Sequence, residues 1–268
     1  MCELFLNIVN RSISAGWIVL AVLILRFCLK KAPKWVHVLL WGIVAVRMIF
    51  PVSIESALSL IPSAEAISPT ILMDPVPTIH TGVPTLNRAI NPVIRSSLAP
   101  ALGASELQIW APVLTGIWLA GAAALFLCSA VSCLYLRRRI REAVILRDNI
   151  YQSEAVCSPF VLGIIRPKIY LPYHMDSREM QYVIAHEQAH IRRKDHWWKP
   201  LGLLLLTIHW FNPLMWLSYI LLCRDIELAC DEAVIREMDN GQRADYTQAL
   251  VACSVGRRVI AAYPAHLR

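Results

Sequence analysis

An apolar run from 200 to 222 separates two sets of side chains suited to metal binding, and that separation dictates how the chain can fold. Before the run, residues 186–190 read HEQAH. After it, Glu227 and Asp231 stand four apart in ELACDEAVI. The run is long enough to cross a bilayer, but a crossing would leave the two sets on opposite faces, and one metal ion cannot be shared across a membrane. Asn212 and Pro213 fall in its middle, and proline ends a helix at or before the preceding residue. We therefore expect two short helices folded back as a hairpin, in the inner leaflet or against other spans. The flanking Arg192, Arg193, Lys194, Lys199 and Arg224 suit a cytoplasmic return.

On a helix His186 and His190 project from one face and can hold a metal at about 2.0 to 2.1 Å. Glu187 lies beside them, where a carboxylate can take a proton from an attacking water. Asp176, Ser177 and Glu179 form a capping-box-like start that puts the motif about three turns into its helix. Met180, Val183 and Ile184 recur at helical spacing and mark a buried face. A catalytic zinc needs a third protein ligand and an open position. His196 has the spacing of H-E-x-x-H-x-x-G-x-x-H sites, but Arg193 stands where those sites carry glycine. A continuing helix would turn His196 through about 600° and away from the other two imidazoles. Glu227 is the better third ligand, and Asp231 can hydrogen-bond a ligand histidine and fix its tautomer. The expected centre is one Zn2+ ion on His186, His190 and Glu227, with Glu187 as general base.

A chain of 268 residues with 57% hydrophobic content and mean hydropathy of +0.51 belongs in a membrane. Three spans are expected, at 12–28, 35–50 and 107–136. The first is a retained anchor and not a secretory leader, because its cations follow it and no A-x-A-like site does. Arg26, Lys30, Lys31 and Lys34, then Arg137, Arg138, Arg139 and Arg141, mark cytoplasmic ends. The Pro- and Ser-rich stretch 52–106, with only Arg88 and Arg95, is then an extracytoplasmic loop, and the N-terminus is outside. The net charge of +7 reflects this bias, and no soluble basic face suggests nucleic-acid binding. The fold class is mainly α: a polytopic membrane protein, with two helices in 1–51, and a cytoplasmic α+β zinc peptidase domain over 137–253. The tail 254–268, broken by Pro264, is expected to pack poorly.

Within that domain 158–172 reads as a short hairpin whose second half Pro167 demotes to an edge. Ile164 and Ile165 would there pair with an extended peptide substrate. The eight cysteines form no disulfide framework, and Cys230 reads as a small buried residue.

In order, SPFVLGIIRPKIYLP, HEQAHIRRKD, HWFNPLMW and RDIELACDEAV resemble the BlaR/MecR family of membrane zinc peptidases, sensor-transducers of bacterial β-lactam resistance. The similarity runs from the first span to about position 250. It implies a gluzincin-like peptidase domain on the cytoplasmic face of the bacterial cell membrane, with perception outside leading to proteolysis of a transcriptional repressor inside. It also implies zinc ligation by His186, His190 and Glu227, with Glu187 as general base. Relatives that sense β-lactams continue into a penicillin-binding domain, whereas this sequence ends at Arg268. The chain is therefore expected not to acylate a drug itself. It would act alone, with a sensor partner, as a homodimer, or as a truncated product. Two other readings stay open: a quality-control protease of the HtpX type, and a non-catalytic regulatory membrane subunit whose metal is closed off by His196.

Overall fold

The computed structural model describes residues 2–50, 84–98, 104–173, 175–236 and 238–262. The chain divides into two compact units, one of Met1–Ala32, Val36–Leu127 and Gly202–Leu222, the other of Pro33–Trp35, Cys128–Leu201 and Cys223–Arg268.

Helices α1 (Cys2–Cys28), α2 (Lys34–Ile49), α3 (Pro84–Leu98) and α4 (Ala104–Arg139) precede the sheet in sequence. Among the described residues, two segments are long and apolar enough to cross a membrane, α1 and Trp110–Arg139 of α4. The expected second span, 35–50, is α2, whose 16 residues extend about 24 Å at about 1.5 Å per residue, short of a hydrocarbon core of about 30 Å. Helix α4 exposes Trp110, Val113, Ile117, Phe126, Val131 and Leu134. Side chains of this kind pointing outward suit acyl chains as their surroundings. Helix α3 lies in the stretch expected to be loop, while 51–83 and 99–103 fall outside the described residues.

The apolar run 200–222 is shared by α6 (Asp195–Ile208) and α7 (Pro213–Ile235). Asn212 makes the break between them. Its Oδ1 accepts from the Leu214 N–H at 2.9 Å, and Pro213 takes the first helical position, where no N–H is needed. The Asn212 Nδ2 donates to Ser12 Oγ at 2.9 Å and to the Ser12 carbonyl at 3.2 Å. These bonds satisfy the hydroxyl of Ser12, which α1 buries. At the end of α6 the Ile208 carbonyl accepts from the Trp118 indole at 2.8 Å. Trp210 donates in turn to the Trp118 carbonyl at 3.2 Å.

That pairing needs a glycine on α4. A Cβ at Gly121 would lie 2.4 Å from ring atoms of Trp210. Alanine gains about 1 kcal/mol of helix propensity, but overpacking costs about 1–3 kcal/mol. Gly121→Ala is expected to lower the melting temperature of the detergent-purified protein. A raised melting temperature would show that the indole moves aside without cost.

In the second unit β1 (Val144–Arg147), β2 (Ile150–Ser153), β3 (Phe160–Leu162) and β4 (Lys168–Pro172) form a sheet in the order β1-β2-β4-β3. Strand β4 runs parallel to β2 and antiparallel to β3. The hairpin of 158–172 is present, but its second half is central and β3 is the edge. Pro167 precedes β4 and so withholds no ladder donor. Its carbonyl accepts from Asn149 Nδ2 at 3.2 Å. Ile164 and Ile165 lie in the loop between the strands, not on a pairing edge, and Ile165 is 87% exposed.

Ile150, Ile169 and Leu171 of the sheet close on Val183 of α5 (Ser177–Arg192), with Met180 and Ile184 packed against them. Asp176 adopts the extended N-cap conformation, without the side-chain bond of a capping box. The opposite side of α5 meets α7 and α8 (Asn240–Ala262) through Ala189, Cys230, Val234 and Tyr246. Residues 254–262, the start of the tail expected to pack poorly, continue α8. Gly256 is the weakest helix former among them, at a cost of about 1 kcal/mol, and Pro264 lies beyond the described residues.

Candidate metal centre

Burying Val183 and Ala189 fixes the rotation of α5, and with it the direction in which His186, Glu187 and His190 point. All three are buried. The two imidazole Nε2 atoms stand 3.2 Å apart. Glu227 Oε2, from α7, lies 3.6 Å from His186 Nε2 and 3.4 Å from His190 Nε2. Atoms held about 2.0 to 2.1 Å from a tetrahedral centre stand about 3.3 Å from one another, so this triangle has the dimensions of a zinc site. Glu227 is half-exposed, which leaves the cluster open on its side.

The outer nitrogens are held by acids. Asp195 Oδ2 accepts from His190 Nδ1 at 2.8 Å. His186 Nδ1 donates to the Tyr246 hydroxyl at 2.8 Å, and that hydroxyl donates to Asp231 Oδ1 at 2.8 Å, itself 3.2 Å from the ring nitrogen. With protons on both Nδ1 atoms, both Nε2 lone pairs face inward. Lys199 Nζ takes the other oxygen of Glu227 at 2.7 Å, so the carboxylate is oriented from both ends.

Charge follows the same pattern. Burial opposes protonation of His190, but the hydrogen bonds with Asp195, Cys230 and Glu227 outweigh it and raise the pKa to about 11. At His186 burial is likewise outweighed, by Asp231, Cys230 and Glu227, and the pKa rises well above its ordinary value. Burial would raise Glu227, yet the two imidazoles and Lys199 hold it below the usual carboxylate range. For Glu187 burial wins and its pKa is raised, with the nearby imidazoles opposing. The acids that favour protonated imidazoles here would equally favour a cation in place of the Nε2 protons.

Cys230 is a second candidate third ligand. With His186 and His190 it forms a buried group whose donor atoms lie within 4.8 Å of one another. Its Sγ sits 3.8 Å from His186 Nδ1, the nitrogen engaged by Tyr246 and Asp231, and donates to the His186 carbonyl at 3.3 Å. The Glu227 oxygen instead faces both Nε2 atoms.

The structure brings together His186, His190, Glu227 and Asp231, with Glu187 on the same helix. It leaves Ile164 and Ile165 on their loop. His196 is not among the side chains that meet at the cluster. Helix α5 ends at Arg192, and Lys194 adopts the left-handed conformation at φ 61°, which returns Asp195 to His190. The turn that glycine makes elsewhere is thus made one residue later by lysine. Sequence reasoning missed Asp195, Lys199 and Tyr246. Asp195 had a usable signal, an acid five residues past His190. Tyr246, 60 residues from His186, had none. If Asp195 fixes the His190 tautomer, Asp195→Asn should weaken zinc binding about 10- to 100-fold in a chelator competition. Unchanged affinity would reduce Asp195 to a packing residue.

The profile of the BlaR1 peptidase M56 family matches residues 6–267. The methicillin resistance mecR1 protein of Staphylococcus aureus is 28% identical over 111 residues, 40% of this chain and 19% of that protein. The mecR1 protein of Staphylococcus epidermidis gives the same figures. Regulatory protein BlaR1 of Bacillus licheniformis is 33% identical over 116 residues, 42% of this chain and 19% of that protein. The aligned part therefore spans 19% of the length of these curated relatives. The residues matched by the profile carry α5, α6, α7 and α8, the elements that build the cluster, and the chain belongs to the BlaR1 peptidase M56 family.

Proposed function

We propose that the protein is a membrane zinc endopeptidase of regulatory signalling, cutting a cytoplasmic protein or its own chain. The triangle of His186 Nε2, His190 Nε2 and Glu227 Oε2 carries this reading, because its edges of 3.2, 3.4 and 3.6 Å fit the ligand spacing of zinc. Bound there, zinc supplies Lewis acidity to the attacking water and to the carbonyl oxygen of the peptide.

The remaining work falls to the chain. Glu187 accepts the proton of the water and delivers it to the leaving amine, for which its burial is suited, since a raised carboxyl pKa gives a stronger base. Asp195 and the Asp231–Tyr246 pair keep the Nε2 lone pairs inward. Lys199 keeps Glu227 in place. Strand β3, the sheet edge next to α5, offers free ladder groups to an extended substrate, with Ile164 and Ile165 on the adjoining loop as apolar contacts.

In this reading the apolar α1 and α4 sit in the bacterial cell membrane, the N-terminus is outside, α2 and the α6–α7 hairpin associate with the bilayer, and the peptidase unit is cytoplasmic. Arg137, Arg138 and Arg139 at the end of α4 support that orientation. The names of the relatives, methicillin resistance protein and regulatory protein, support a regulatory substrate such as a transcriptional repressor. A sensor partner or a second copy of the chain would then supply the stimulus.

The test is metal analysis of the detergent-purified chain together with its self-cleavage and its cleavage of candidate repressors. Stoichiometric zinc, cleavage abolished by a chelator and cleavage restored by zinc are expected. Zinc-loaded protein that cuts neither itself nor a repressor under inducing conditions would make the centre structural.

A further inference from the structure

Three arginines from different elements line one cleft of about 500 Å³ in the second unit. Arg193 follows α5, Arg236 follows α7, and Arg243 lies in the first turn of α8. Pro33 of the α1–α2 link and Trp35 in the first turn of α2 form another wall, next to Glu232. Glu232 is the acid on the cleft among the described residues, and its Oε2 already accepts from the backbone N–H of Lys34 at 2.6 Å. Three arginines thus line a cleft whose one lining carboxylate among the described residues has another task.

Their positions are not alike. Arg243 Nε donates to the Met238 carbonyl at 3.1 Å, which holds its side chain. Arg193 Nε stands 3.4 Å from Asp195 Oδ2 and is buried without a hydrogen bond. Arg236 is exposed and makes no ion pair among the described residues. Guanidinium groups pair with phosphate through parallel N–H···O bonds, and a cleft of this size admits a phosphate with its substituents.

Pro33 follows the last residue of α1, Cys28, by five positions, so at most about 17 Å of extended chain separates the cleft wall from an apolar helix long enough to span. Trp35 is 50% exposed at the cleft, and indole rings favour the headgroup level. We propose that this cleft binds the phosphate of an anionic phospholipid headgroup. The bound lipid ties the α1–α2 link, α5, α7 and α8 to the membrane surface, and it does so whether or not the zinc reading holds.

The experiment titrates the full chain in neutral detergent with short-chain phosphatidylglycerol, short-chain phosphatidylcholine and inorganic phosphate, followed by calorimetry. Saturable binding of phosphatidylglycerol is expected, tighter than that of the other two probes. The double variant R236Q/R243Q is expected to weaken it at least tenfold, with zinc content unchanged. R236Q alone, which breaks no ion pair among the described residues, should weaken it several-fold and keeps the question decidable if the double variant unfolds. Binding that survives both variants would overturn the site, as would an equal loss in K30Q/K31Q, which would show a diffuse basic surface. Inorganic phosphate binding as tightly as phosphatidylglycerol would overturn the lipid source.

Discussion

Glu187→Gln is expected to leave zinc content unchanged while peptide cleavage falls about 10²- to 10⁴-fold, the usual contribution of a positioned general base. The amide matches the carboxylate in size, so the packing of α5 against α7 and α8 should persist. It cannot accept the proton of the water. The separation of the two effects is informative because Glu187 shares a helix turn with both imidazoles, and a distorted α5 would lose metal and activity together. Parallel zinc analysis and self-cleavage assays on one preparation measure both. An active Glu187→Gln protein would remove Glu187 from the chemistry.

Glu227→Ala should have the largest effect on the metal. It removes one corner of the triangle and leaves Lys199, 2.7 Å from the lost oxygen, as a cation beside the site. Zinc affinity should therefore drop by more than the about 10- to 100-fold that accompanies loss of a supporting hydrogen bond. Cys230→Ser is the matching control. If Glu227 is the ligand, the serine variant keeps its zinc, since the thiol faces the Nδ1 side of His186. The opposite pattern, zinc kept by Glu227→Ala and lost by Cys230→Ser, would replace the carboxylate with the thiolate. Metal content after dialysis against a weak chelator decides between them.

Much of this centre is legible in the sequence because helical spacing is a strict rule. A four-residue interval fixes which side chains share a face, so the spacing alone places the histidines of HEQAH together, and Glu227 with Asp231. The need to unite the two pairs implies a break at Asn212 and Pro213, and α6 and α7 separate there. Other features depend on interactions that spacing does not encode. Pro167 suggests an edge, but β4 pairs with β2 from 19 residues upstream, and parallel pairing leaves no local mark. Strands of three to five residues, with β1 exposed along its length, show little alternation to recognise. Lys194 in a left-handed turn defies the expectation that a helix without glycine continues past Arg193, and a continuing helix gives no reason to bring Asp195 back to His190. Hydropathy locates the first two runs but not their lengths, and α2 is too short to match the bilayer thickness.

The hydroxyl of Tyr246 also bears on the order in which the protein is made. HEQAH emerges from synthesis with its helix, but His190 waits for Asp195, the triangle waits for Glu227, and His186 waits for Asp231 and for a tyrosine 60 residues behind it. The same tyrosine, 1% exposed, packs in the core that joins α5 to α7 and α8. Since chains fold from the N-terminus as they are synthesised, the centre is assembled only after α8 has been added. The cluster therefore stays incomplete until nearly all of the helices that surround it have been made.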